Sequence, residues 1–284
     1  MAIKKYLVVL SFIMCCNTIS FSQGVMSITD LIYARTPEGE LQLDLYLPDD
    51  NRKDVLVIWI HGGAWRSGSK EDPPKLLLKH GYPLASINYR LSTEAPFPAQ
   101  IHDIKAAIKF LRSKSKGFKF NADKIVLWGS SAGGHLAALA GLSNNDAYLE
   151  GNIGQLTNET SSVQGVIDFF GPTNLTTILK QSTPHGLDVR IPALDLLLGN
   201  HEDEGMQKKA SPVFYVDEND PPVFIAHGEQ DPQVPINQSV ELYTRCIRFG
   251  VKADIHYVEG NGHGGYGFEN HVMEKLLLDW MAQF

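Results

Sequence analysis

The chain has 284 residues, of which 43 % are hydrophobic and 20 % charged, with 25 Gly and 15 Pro. This composition belongs to a folded globular protein and excludes a disordered chain, a collagen-like repeat and a disulfide-dense miniprotein. The length suits a large α/β domain, and a formal charge of −7 leaves no basic footprint for nucleic acid.

The N-terminus reads as a leader. Lys4 and Lys5 form a short basic start, Tyr6 to Cys16 is apolar, and Ser20 and Ser22 put small residues before a cleavage point. The apolar run is too short to span a bilayer as a helix, and the layout is that of a secretory signal peptide cut after Ser22. An uncleaved anchor is one alternative. A lipid anchor on Cys15 or Cys16 is another, although Ile13 and Met14 make a poor lipobox. The expected organisation is a leader over 1–22 and one domain over 23–284. The protein is then exported, periplasmic or secreted, with no stable membrane insertion. Loss of Lys4 and Lys5 leaves 23 basic residues against 32 acidic ones, a charge of −9. Cys246 is then the one remaining cysteine, so no intrachain disulfide forms. Its helical context, ELYTRCIRFG, predicts a small buried hydrophobe.

Downstream, short apolar runs alternate with amphipathic ones. Leu41 to Leu47 alternates with period two, as a strand with one buried face does. Val55 to Ile60 (VLVIWI) is continuously apolar, as a strand covered on both faces is. Pro83 to Tyr89, Lys124 to Trp128, Val163 to Phe169, Val223 to Ala226 and Asp254 to Val258 are further strand candidates. Between them, Ala99 to Arg112 sets Ile101, Ile104, Ile108 and Leu111 on one helical face. Ser131 to Leu142, Gln238 to Phe249 and Asn270 to Met281 also read as helices. Strand and helix in alternation predict a mostly parallel sheet with helices on both faces. Thr173 to Ser211, with Pro184 and Pro192, breaks the alternation. It reads either as a lid or acyl-pocket wall, or as an irregular connection.

Lys124 to Leu142, KIVLWGSSAGGHLAALAGL, is the most informative segment. It is a strand, then Gly129-Ser130-Ser131-Ala132-Gly133, then an Ala/Leu-rich helix. This is G-x-S-x-G in the context that a nucleophile elbow requires. Small residues two positions either side let the chain fold back tightly and lift Ser131 to the sheet's C-terminal edge. Ser130 competes, but its spacing to the glycines is wrong. A serine needs a base, and the partners of such a serine follow in the order acid, then histidine. His263 sits in a glycine-rich loop, GNGHGG, after the last strand, and His271, inside a helix, is the weaker rival. Asp231 follows the preceding strand and would orient that imidazole; Glu229 is the alternative acid. Val55 to Ile60 runs into HGGAW, whose backbone N–H groups can face a reacting carbonyl. The oxyanion donors are therefore assigned to Gly63, Ala64 and Ala132. His61 is expected to shape that loop. Trp65 is a candidate substrate-stacking ring that reads equally well as core. Asp168, in IDFFGP, is expected to serve a turn or cap. No zinc motif, P-loop or dinucleotide fingerprint is present, so neither metal nor cofactor is expected.

Taken together, HGGAWRSGSK (61–70), NYRLSTEAPFPAQIHDIKAAIKFLR (88–112), WGSSAGGHLAAL (128–139), DFFGPTNL (168–175), SPVFYV (211–216), PPVFIAHGEQDPQVP (221–235) and GNGHGG (260–265) resemble the α/β-hydrolase superfamily. More narrowly, the chain resembles the esterase family known for bifunctional acetylxylan esterase and feruloyl esterase activity. The resemblance implies a triad of Ser131, Asp231 and His263, and acyl esters of plant-type polysaccharides such as xylan as substrates. Ala64 departs from the third glycine of hormone-sensitive-lipase-like esterases but still offers an N–H. A short-chain carboxylesterase or an arylformamidase-like hydrolase is the alternative. A catalytically dead glycan-binding module is a further one, from a different class.

Overall fold

The computed structural model describes residues 18–22, 24–144, 146–154 and 158–284. Most of the expected leader, residues 1–17, lies outside the described residues, as do Cys15 and Cys16.

The first half is β1 (Ile19–Ser22), β2 (Val25–Thr36), β3 (Gly39–Pro48), β4 (Leu56–Ile60), α1 (Leu76–Lys79), β5 (Leu84–Ile87) and α2 (Ala99–Phe118). The second is β6 (Ile125–Ser130), α3 (Ala132–Leu142), α4 (Ala147–Glu150), β7 (Gly165–Phe169), α5 (Ile178–Gln181), α6 (Pro184–Leu198), α7 (Glu204–Lys209), β8 (Val223–Gly228), α8 (Asn237–Arg248), β9 (Ala253–Val258) and α9 (His271–Met281). One nine-stranded sheet runs in the order β1-β2-β3-β5-β4-β6-β7-β8-β9. The ladders from β1 to β5 through β2 and β3 are antiparallel, and all others are parallel. This is the mostly parallel α/β architecture that the alternation predicts, in a single domain.

The core lies on both faces because the strand period is two. In β4, Leu56, Ile58 and Ile60 enter one buried cluster, and Val57 enters the other. Helices α2, α3, α6 and α8 cover the first face, α1 and α9 the second. Cys246 of α8 is fully buried, and burial pushes its thiol up to about 12. No helix among the described residues is long and apolar enough to cross a membrane.

Three stretches differ from expectation. Strand β2 was not legible because bulges shift its register between Ile28 and Leu31 and between Ile32 and Ala34, which scrambles the alternation. Helix α2 runs six residues past Arg112 to Phe118. Its polar end (SKSKG) is mostly exposed surface, with Ser115 buried, and Phe118 returns to the core. The stretch from Thr173 to Ser211 is not an irregular connection, since α5, α6 and α7 lie within it. Thr183 caps α6 by accepting the Gly186 N–H, and Gly199 closes it in the left-handed conformation. This helix buries Arg190, Ala193, Leu194, Leu197 and Leu198. A charged residue in the apolar stripe and a proline at 192 hid that periodicity.

Candidate active site

Strand β6 ends on Ser130 and α3 begins on Ala132, so Ser131 is the whole turn between them. Its backbone is left-handed, φ 55° and ψ −121°, a costly conformation for a residue with a side chain. Such a sharp turn forces close backbone approach. A Cβ on Gly129 would overlap the Gly133 carbonyl, and one on Gly133 would overlap the Ile60 carbonyl. The Ser131 N–H donates to the Phe169 carbonyl at 2.8 Å, fixing the elbow to the neighbouring strand β7.

The structure brings Ser131, His263 and Asp231 into one hydrogen-bonded chain. The Ser131 hydroxyl donates to Nε2 of His263 at 2.8 Å, and the His263 Nδ1–H donates to Asp231 Oδ2 at 2.6 Å. Strands β8 and β9 are parallel neighbours, paired from Val223–Ala253 to Gly228–Val258, so the loops carrying Asp231 and His263 leave the same sheet edge. The Asp231 side chain is fully buried and that of His263 is 13 % exposed. The rival residues stand apart from this chain: Glu229 and His271 are exposed.

Asp231 is held on every side. Its Oδ1 accepts the N–H groups of Gln233 at 2.8 Å and Val234 at 2.9 Å. Its Oδ2 also lies 3.3 Å from Nε2 of His227. Burial alone would raise its pKa, but the hydrogen bonds from His227 and His263 and the charge of His263 outweigh that. The carboxyl is held far below the usual carboxylate range. His227, absent from the sequence reading, is fully buried. Its Nδ1 takes the Ser239 hydroxyl at 2.7 Å, and its Nε2–H donates to the Val234 carbonyl at 2.9 Å. The order in the chain of contacts is thus Ser239, His227, Asp231, His263, Ser131.

The loop after β4 passes beside the elbow. Ile60 is paired with Gly129 across the parallel ladder, and a Cβ on Gly62 would come within 3.4 Å of the Ser131 Cβ. Gly63, Ala64 and Trp65 all have positive φ, at 107°, 52° and 59°. Among the described residues, no backbone carbonyl accepts from the N–H of Gly63 or Ala64, so both donors are free for another acceptor. The His61 Nδ1–H donates to the Gly62 carbonyl at 2.7 Å, and its ring stacks on Tyr89 at 4.3 Å. Burial lowers its pKa, in keeping with a loop-shaping part.

Trp65 does not border an open pocket. It is fully buried, because its Nε1–H donates to Nδ1 of His135 at 3.0 Å and Arg190 lies over its ring at 6.0 Å. A ring with no exposed face cannot stack on a substrate, so the core alternative holds for this residue. His135, which the sequence reading also missed, donates from Nε2 to the Ala210 carbonyl at 2.6 Å. Burial holds its pKa down at about 4. Arg190 Nε donates to the Gln233 carbonyl at 3.3 Å, and Thr183 Oγ1 donates to the Pro232 carbonyl at 3.1 Å. These contacts lay α6 against both the oxyanion-side loop and the acid loop. Asp168 is a turn residue as expected: its Oδ1 accepts the Gly171 N–H at 2.8 Å.

Comparison with known proteins places these residues in a wider group. Residues 43–246 match the protein family described as BD-FAE. Esterase LipQ of Mycobacterium tuberculosis is 30 % identical over 253 residues, which is 85 % of this chain and 58 % of that relative. The chain therefore spans little more than half the length of that protein. A solved structure described as a truncated form of a carbohydrate esterase from gut microbiota is 31 % identical. It superimposes with a TM-score of 0.81 over 95 % of this chain and 98 % of the other. A bifunctional GH43-CE protein of Bacteroides eggerthii is 33 % identical, with a TM-score of 0.81 over 93 % of this chain and 36 % of its own.

Proposed function

The chain belongs to the BD-FAE family of α/β-hydrolase esterases, and from that premise we propose that it is an exported serine esterase acting on acylated carbohydrate. The observation that carries this reading is the unbroken chain from the Ser131 hydroxyl through His263 to the buried Asp231. Ser131 Oγ attacks the ester carbonyl while Nε2 of His263 takes its proton. Asp231 orients the ring and stabilises the imidazolium. The N–H groups of Gly63, Ala64 and Ala132 receive the oxyanion; one such donor is worth roughly 3–4 kcal/mol in the transition state. The sugar alcohol leaves with the proton from His263, and water then hydrolyses the acyl-enzyme by the same route.

Carbohydrate esters are favoured over other esters because a relative of known structure, aligned over nearly its full length, is described as a carbohydrate esterase, and a second is described as a bifunctional GH43-CE protein. The N-terminal leader pattern suits a polymeric substrate outside the cytoplasm, and cleavage after Ser22 would remove the edge strand β1 and leave β2 at that edge. The second reading is a short-chain carboxylesterase, favoured by relatives such as LipQ whose names specify no glycan.

The deciding experiment treats acetylated, feruloylated xylan with the mature chain and with Ser131→Ala, and measures free acetate and ferulate. Release of either acid is expected, reduced by at least about 10⁴-fold in the variant. Ser131-dependent turnover of a small aryl acetate without release from xylan would select the second reading. No turnover of either substrate would overturn the esterase assignment.

A further inference from the structure

Resting on the esterase reading above, the leaving alcohol must lie within hydrogen-bond reach of Nε2 of His263, which returns the proton to it. The chain that runs on from His263 starts at that imidazole, and it is firmly held. Phe170 packs edge-on against the His263 ring with centroids 4.8 Å apart, and against Phe268 at 4.7 Å. Asn261 Oδ1 accepts the Gly267 N–H at 3.1 Å, and the Glu269 N–H donates to the Tyr266 carbonyl at 3.0 Å. Gly262 and Gly264 add an isolated backbone bridge. From this fixed backbone Tyr266 projects outward. At 78 % exposure it is the most exposed of the large apolar side chains among the described residues.

A single exposed aromatic on an arbitrary surface calls for no explanation. Tyr266 differs in place and in backing, being three residues after the proton-donating imidazole on a backbone that needs no further ordering to bind. We propose that Tyr266 is the floor of a leaving-group subsite that takes the pyranose ring of a neutral sugar. A pyranose presents C–H groups on one face, and the electron-rich face of an aromatic ring attracts them. Charge defines the class further. The acid loop joins this one, since the Gln230 N–H donates to the Asn261 carbonyl at 2.9 Å. Between them, residues 229–235 and 259–269 carry the exposed carboxylates Glu229, Glu259 and Glu269 and no Lys or Arg. Such a rim repels uronic acids and leaves neutral sugars unaffected. The subsite therefore takes over the stacking part that the buried Trp65 cannot play.

The test is calorimetric binding of unacylated xylotetraose to the Ser131→Ala protein, compared with Ser131→Ala/Tyr266→Ala and Ser131→Ala/Tyr266→Trp. The alanine exchange is expected to weaken binding about threefold to tenfold, the tryptophan exchange to retain it, and tetragalacturonate to bind more weakly than xylotetraose. In the active protein, Tyr266→Ala should lower the ratio of kcat/KM for acetylated xylotetraose to that for methyl acetate, through KM. Equal affinity with and without the tyrosine ring, no binding of xylotetraose at all, or an equal loss on both esters would overturn the subsite. Failure of the parent protein to hydrolyse either ester would sink the esterase reading instead, and the binding comparison would still decide the subsite.

Discussion

On the oxyanion side of the site, His135 accepts from Trp65 and donates to the Ala210 carbonyl. On the acid side, His227 accepts from Ser239 and points its Nε2–H between the Val234 carbonyl and Asp231. Both imidazoles are fully buried and both stand one step behind groups placed to react. They differ in what they touch. The His135 prop ends on an indole and a carbonyl, so on the proposed mechanism it governs, through Trp65, where the Gly63 and Ala64 N–H groups sit. The His227 prop ends on a carboxylate, so it governs how basic that carboxylate is. Two supports of the same chemical type thus act on different properties, position on one side and proton affinity on the other.

Three substitutions break or sharpen that contrast. The largest effect is expected from His135→Leu, which leaves the Trp65 N–H without its acceptor and frees a loop with two non-glycine residues at positive φ. The expected loss is roughly a hundredfold in kcat, approaching that of an oxyanion donor, with no movement of the acidic limb of the kcat/KM profile. A displaced limb would show that His135 acts through charge as well.

Asp168→Asn uncovers the pH behaviour of His135 by removing a second buried group of opposite slope. Burial pushes the Asp168 pKa up to about 6, and its Oδ2 has no hydrogen-bond partner among the described residues. Unfolded, this carboxyl loses its proton near 4. Between about pH 4 and 6 the native state therefore holds the extra proton, and stability falls as pH rises. His135 has the opposite slope: it binds a proton near 6.5 when unfolded and near 4 when folded, so stability falls as pH drops through that window. The two largely offset each other. Asp168→Asn removes one of them, and urea unfolding should show a gain on the order of 2 kcal/mol at pH 7. Below pH 6.5 the His135 slope should stand exposed. An unchanged pH dependence would mean that Asp168 is already ionised in the fold.

The smallest effect is expected from His227→Leu. Without its N–H, Asp231 becomes more basic and holds the imidazolium of His263 more tightly. The free base then forms at higher pH, so the acidic limb should move up by about half to one unit, with roughly a tenfold loss on the plateau. His227→Gln, which returns an N–H donor at that distance, should restore the limb. A plateau loss without limb movement would make this prop geometric too and erase the contrast with His135.

What the sequence showed and hid follows the same division. Ser131, Asp231 and His263 were readable because each lies at a strand end, where the order of chemical types is constrained, and the structure brings the three together. His135 and His227 were not, because a histidine inside an Ala/Leu helix or an apolar strand carries no pattern of its own. Only the three-dimensional partners, Trp65 and Ala210 or Ser239 and Val234, give it meaning. Arg190 misled more actively. It fills a core position of α6 with a charge, so the helix that leans on the acid loop did not read as a helix. Trp65 could be read either way from sequence, and its partner His135, seventy residues on, decides it as core.

The backbone of Ser131 carries a consequence for how such a chain changes over generations. At φ 55° any side chain costs the fold about 1 kcal/mol or more relative to glycine. Stability alone thus favours Ser131→Gly, a substitution one nucleotide away from the serine codons AGU and AGC. A lineage that no longer needed the hydroxyl would drift toward that glycine and gain a slightly sturdier protein. The position works as a ratchet: once glycine is fixed there, regaining the nucleophile would require accepting a less stable fold before any reaction could reward it.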